Sequence, residues 1–277
     1  MGLLDLFSKK KTIEITRNEY YKIAEALPEY MRLKTLIGRQ YATYIVGMIW
    51  EKFPKTKNPL THSPSSLESF TGQVSTFLTL EKRNIDNRKI YVDQLWNHAA
   101  SGSLRSKLPT ATGSKGNPMQ EIRKACDWMV TSGMDASLKP AVRTILYENC
   151  VLNKSLPPLG RNDHFIVDAH KKVVPGMSKE YRNITLGVNY PSSVGGRYLL
   201  RWFLKDKDLA RWPSQGDAKW ENYALFYFGA IGSVQPFRDG NKRISRLAYA
   251  ITLLKGDCQF KPFSYGVQND LLRMTMG

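Results

Sequence analysis

The segment Ser233-Val-Gln-Pro-Phe-Arg-Asp-Gly-Asn-Lys-Arg-Ile-Ser-Arg246 gathers one acid, a Gly-Asn turn and four cations into a short span. Upstream, Trp220 to Ile231 is rich in Tyr, Phe, Leu and Ala and reads as a buried helix that is apolar nearly all round. Downstream, Ile244, Leu247, Ala248, Ile251 and Leu254 recur at helical spacing. Gly232, Pro236 and Gly240 break the pattern between them, so the segment is a helix–loop–helix corner. Asp239-Gly240-Asn241 turns the chain so that backbone N–H groups converge with the start of the second helix, an arrangement that attracts anions. Lys242 and Arg243 in the first turn oppose the helix dipole and call for an anion, and Arg246 lies one turn beyond Arg243 on the same side. A polyphosphate satisfies all three, and Asp239 suits a Mg²⁺ that bridges phosphate oxygens. A capped turn carrying surface cations is the plainer alternative.

The elements that position this corner are mostly helical. Thr16 to Phe53 carries long helical patterns divided by Pro28, with Ile37, Tyr41, Ile45 and Ile49 spaced by four. Phe53 to Ser66 reads as a loop, followed by a helix to about Leu80. Ser101 to Pro118, rich in Gly, Ser, Thr and Pro, is the best boundary, dividing an N-terminal helical region (1–118) from a second unit (119–277). Two amphipathic helices follow it, one marked by Met119, Ile122, Cys126, Met129 and Val130, the other by Leu138, Val142, Ile145 and Leu146. Ile184, Leu186, Val188 and Tyr190 alternate with polar residues at period two, the clearest strand signal in the chain, and read as a flap or a short extended loop. After Pro191, a helix begins with Val194, Leu199 and Phe203 on its buried side.

The chain of 277 residues carries a formal charge of +17, spread along its length, which favours an anionic partner: nucleotide, nucleic acid, acidic protein or anionic lipid. Cys126, Cys150 and Cys258 lie far apart with no CxxC or Cys/His spacing, so neither a disulfide framework nor a zinc site is indicated, and a reducing cytoplasm fits best. The longest apolar run, Tyr41 to Trp50, is about half the ~20 residues of a membrane span.

The run Gln235 to Arg246 resembles the signature of the Fic family, His-Pro-Phe-x-(Asp/Glu)-Gly-Asn-(Gly/Lys)-Arg-x-x-Arg, at every defining place but the first. The likeness extends back through Pro191 and the 183–190 strand to about Phe165. It implies an all-α fold, a Fic-type helical core with one small β-hairpin flap, that transfers AMP from Mg²⁺·ATP to a Ser, Thr or Tyr hydroxyl of a target protein. By matching position, Asp239 would hold Mg²⁺. Gly240, Asn241 and Lys242 would line the anion hole, Arg243 would take the β-phosphate, Arg246 would meet the γ-phosphate, and Phe237 would anchor the loop. Ile184, Leu186 and Val188 would form the flap that aligns the target hydroxyl.

Gln235 departs from the resemblance, because the family's general-base histidine stands there and a carboxamide takes up no proton near neutrality. The implied transfer is therefore absent or very weak, and a pseudoenzyme that binds nucleotide as a regulatory module is the alternative. His164 and His170 are the nearest candidates for a substitute base. Lys242 is shared with the Doc branch, which leaves phosphate transfer open, and the basic surface leaves nucleic acid open without a supporting motif. Thr144 to Asn149 resembles the family's inhibitory helix pattern (here 137–150), in which Glu148 would face Arg246.

Overall fold

Two helices without a polar face need partners on every side, and the fold is arranged around that pair. In the computed structural model, which describes residues 13–52, 60–62, 64–110, 113–154, 158–160, 162–176, 189–206 and 219–273, α9 (Lys219–Val234) and α10 (Asn241–Lys255) pack against each other at the centre. Ala224 to Phe228 and Ala230 to Val234 are buried on α9, and every residue of α10 is buried except Lys242 and Arg243. The remaining helices cover the pair. They are α1 (Arg17–Ala26), α2 (Pro28–Ile37), α3 (Arg39–Lys52), α4 (Pro64–Ala100), α5 (Pro118–Thr131), α6 (Lys139–Tyr147), α7 (His164–Val173), α8 (Ser193–Asp206) and α11 (Tyr265–Arg273). α4 lies across α9, α5 and α7 lie on α10, and α1 to α3 reach the centre through α4 and α8.

The class is all-α, as expected, with one strand pair elsewhere than the sequence indicates. Ile13–Ile15 (β1) pairs antiparallel with Leu60–His62 (β2), Ile13 opposite His62. Of the expected flap, residues 183–188 lie outside the described residues.

The helix expected to end near Leu80 runs on to Ala100. Through and beyond the charged run Glu81-Lys-Arg-Asn-Ile-Asp, Ile85, Val92, Leu95 and Ala99 continue the buried face. Glu81, Asn84 and Arg88 on that face are themselves buried. Glu81 accepts from the Ser192 N–H at 2.8 Å, Asn84 donates to the Tyr190 carbonyl at 3.0 Å, and Arg88 donates to the Asn189 carbonyl at 3.0 Å. Arg88 also lies over the Tyr190 ring, 4.5 Å from its centroid. Buried polar groups survive only when paired, and here they hold the chain that enters α8. No described helix is long and apolar enough to cross a membrane.

The loop after Ala100 is tied to the centre at several points. Ser103–Lys107 forms a 3₁₀ turn whose Leu104 is buried, and the Arg105 guanidinium meets Glu221 on α9 at 2.7 Å. Beyond it Glu121, on α5 and 1% exposed, accepts from the Gly116 N–H (2.8 Å), the Phe260 N–H (2.7 Å) and the Lys124 ammonium (2.8 Å). Burial pushes its carboxyl up, but these hydrogen bonds outweigh burial and hold it below the ordinary 4.5. A depressed carboxyl stabilises the fold above its unfolded pKa, and that stabilisation is lost as pH falls through the folded value. Glu121→Gln should therefore cost about 2–4 kcal/mol at neutral pH, because the buried Phe260 N–H and the part-buried Gly116 N–H lose a charged acceptor. Thermal melting at neutral pH and near pH 3 checks this, with the gap from the unaltered chain narrowing in acid.

Candidate functional site

The corner between α9 and α10 is held shut by Asn241. Its Oδ1 accepts from the Phe237 N–H at 2.9 Å, and its Nδ2 donates to the Phe237 carbonyl at 2.8 Å and to Gln235 Oε1 at 2.9 Å. The Gln235 amide in turn donates from Nε2 to the Gly232 carbonyl at 2.7 Å. Gln235 has φ +50, a left-handed conformation that costs a non-glycine residue energy and that the surrounding bonds must enforce.

Gly240 turns the chain into α10 at φ +79. A Cβ there would lie 2.4 Å from Val174 Cγ2, so conformation and space both require glycine. No side chain caps α10, and the Ile244 N–H to Gly240 carbonyl bond, at 2.9 Å, leaves the N–H groups of residues 241–243 without intrahelical partners. These donors face an open cleft of about 260 Å³, walled by Gln235, residues 238–243, Arg246 and, from the turn after α5, Gly133. Unpaired amides at a positive helix end are an anion site.

The cations of the cleft are short of counter-charge. Arg246 is 5% exposed, yet among the described residues its guanidinium meets neutral side chains: Nη2 donates to Gln268 Oε1 at 3.0 Å, and the Tyr265 ring centroid lies 5.9 Å away. Burial pulls its pKa down, and nearby Arg243 adds repulsion. Arg243 donates through Nη1 to the Val173 carbonyl at the end of α7. Asp239 is exposed on the cleft wall, and its carboxylate has no cation partner among the described residues. A carboxylate with no ion pair among the described residues, beside the open N–H groups of a helix start, would suit Mg²⁺, which binds through one or two carboxylates plus phosphate oxygens.

Of the residues singled out in the sequence, Gln235, Asp239, Gly240, Asn241, Lys242, Arg243 and Arg246 share this cleft, with Phe237 buried beneath. Glu148 does not join them. α6 ends in a single π-helical turn, Glu148–Leu152, and Glu148 lines a different cleft with Asp168 and Lys172. No Glu148–Arg246 ion pair occurs among the described residues, where Gln268 holds the arginine instead. Ile184, Leu186 and Val188 lie outside the described residues.

His170 escaped the sequence reading as anything beyond a helix residue or a spare base. Its ring stacks on Phe237, centroids 3.9 Å apart and planes 12° apart, and its Nε2 lies 2.9 Å from the Asp239 carbonyl. A carbonyl only accepts, so Nε2 carries the proton and is not a free lone pair. Burial holds the imidazole below its usual range. A histidine one turn before Val174, on a helix with buried Ile166, Ala169 and Val173, was the available signal.

Comparison with known proteins agrees with the corner. Residues 162–253 match the model of the Fic/DOC family. The chain is 28% identical over 179 residues to the protein adenylyltransferase VopS of Vibrio parahaemolyticus serotype O3:K6, a match covering 61% of this chain and 42% of that protein. The chain thus spans less than half the length of that curated relative. The crystal structure of the Fic domain-containing AMPylator VopS superposes with a TM-score of 0.67 at 19% identity, covering 92% of this chain and 81% of that one, a likeness of fold. The match to the Fic/DOC family model thus falls on α7, α8, α9 and most of α10, the elements that build the corner.

Proposed function

We propose that the protein is a Fic-type adenylyltransferase scaffold that binds Mg²⁺·ATP at the α9–α10 corner, with AMP transfer to a target hydroxyl silenced by Gln235. The observation that carries this reading is the buried Arg246, without an acidic partner among the described residues, in one cleft with Arg243, the Asp239 carboxylate and the three N–H groups that open α10. The triphosphate supplies the missing negative charge. The backbone amides of Asn241, Lys242 and Arg243 would hold phosphate oxygens, the Arg243 and Arg246 guanidiniums would take the distal phosphates, and Asp239 would hold the metal, whose contribution is to neutralise the phosphate chain and the leaving pyrophosphate.

In AMP transfer a hydroxyl oxygen of the target bonds to the α-phosphorus, the bond from that phosphorus to the β-phosphate oxygen breaks, and the hydroxyl proton must leave. Gln235 has no basic site to receive it, and its carboxamide oxygen already accepts from Asn241. Loss of a general base lowers the rate by about 10²–10⁴-fold. Both polar ends of Gln235 brace the corner, which favours a second reading, a nucleotide-binding regulatory module. Among the described residues Glu148 lines another cleft and forms no ion pair with Arg246.

Two outcomes are expected. Gly240→Ala should destabilise the fold by about 3 kcal/mol, from the left-handed backbone and the Val174 contact together, and weaken Mg²⁺·ATP binding, as read by thermal melting and calorimetry. Gln235→His, incubated with Mg²⁺·ATP, should acquire the mass of AMP about 10²–10⁴-fold faster than the unaltered chain in intact mass spectrometry. A gain matching phosphate supports Doc-like transfer instead, and no gain from a variant that still binds Mg²⁺·ATP supports the regulatory module.

A further inference from the structure

The last turn of α7 touches the corner at four successive points. His170, 3% exposed, stacks on Phe237 and donates to the Asp239 carbonyl at 2.9 Å. Val174, four residues on, fills the space that a side chain at position 240 would need. The Val173 carbonyl, one of those left open at a helix C-terminus, accepts from Arg243. Pro236 and Phe237 are buried, but Arg238 and Asp239 are exposed, so packing alone does not fix the chain at Asp239.

The Asp239 carboxylate has no cation partner among the described residues, so its direction follows from its backbone. That backbone is held at the carbonyl by one side chain, His170. We infer that His170 is a positioning residue for the metal-binding carboxylate: its N–H holds the Asp239 peptide so that the carboxylate stands over the cleft, beside the α10 amides. The imidazole acts through Asp239 and Phe237 and touches neither nucleotide nor metal. This inference rests on reading the cleft as a Mg²⁺·ATP site.

A residue with this role separates metal-dependent from metal-independent affinity, which a merely structural residue does not. ATP affinity would be measured by calorimetry with and without Mg²⁺ for the unaltered chain, His170→Phe and His170→Gln, with thermal melting of each. His170→Phe keeps a ring over Phe237 but loses the donor. It should lose about 5–10-fold of the Mg²⁺-dependent gain in affinity, while ATP alone changes less than about 2-fold and melting holds. His170→Gln, which regains an N–H donor, should recover part of that gain. An undiminished Mg²⁺ gain in His170→Phe overturns the inference, as does an equal fall in both affinities alongside melting. If His170→Phe does not fold, His170→Gln decides: a folded His170→Gln without any Mg²⁺ gain overturns it. These failures leave the reading of the cleft standing, whereas an unaltered chain that binds no ATP in either condition overturns both.

Discussion

Everything at the candidate site depends on Asn241, whose amide satisfies both backbone groups of Phe237 and one end of Gln235 from the first position of α10. A chain leaving one helix and entering another at a sharp corner exposes the last carbonyls of the first and the first N–H groups of the second. The Asn241 side chain closes the loop from within, so that the N–H groups of α10 remain open toward the cleft instead of being used in a cap. A capping serine or aspartate at position 240 would satisfy those donors and abolish the anion site. Glycine there does the opposite, giving a left-handed turn with no competing acceptor.

The corner is rigid because of what surrounds it. α10 is buried on nearly all sides, so its N-terminus cannot move without disturbing α5, α7 and α9. Its far end is fixed too, by Lys255, whose buried ammonium donates to the Asn149 and Asn153 carbonyls around the π-helical turn. Two buried cations thus mark the two ends of one helix. Lys255 at the C-terminus of α10 meets carbonyl oxygens, while Arg246 near its N-terminus meets neutral side chains among the described residues. The contrast gives the site its polarity: a cation desolvated without an anion costs energy that a bound phosphate would return.

The cleft residues were legible in the sequence because they are local, lying within twelve positions of one another and punctuated by Pro236 and Gly240. Helices α5, α6, α8, α9 and α10 were legible for a similar reason, since each has a face or a full surface of apolar residues at helical spacing. The misses are long-range. The second half of α4 was hidden because three of its buried positions just past Leu80 are Glu81, Asn84 and Arg88, whose burial makes sense only with the 189–192 backbone in place. The contact of His170 with Asp239 spans 69 positions, and nothing in either stretch announces the other. Glu148 opens a π-helical turn and lines a cleft with Asp168 and Lys172, a placement that the local pattern from Thr144 to Asn149 does not announce.

The measurement that tests the central claim most directly is a crystal structure grown with Mg²⁺·ATP. The account predicts nucleotide density at the α9–α10 corner, with phosphate oxygens on the N–H groups of residues 241–243 and on Arg243 and Arg246, and a metal at the Asp239 carboxylate. Phosphate density in the other basic groove instead, the one between α5 and α6 lined by Arg123, Lys139 and Arg143, would contradict it, as would an empty corner at saturating nucleotide.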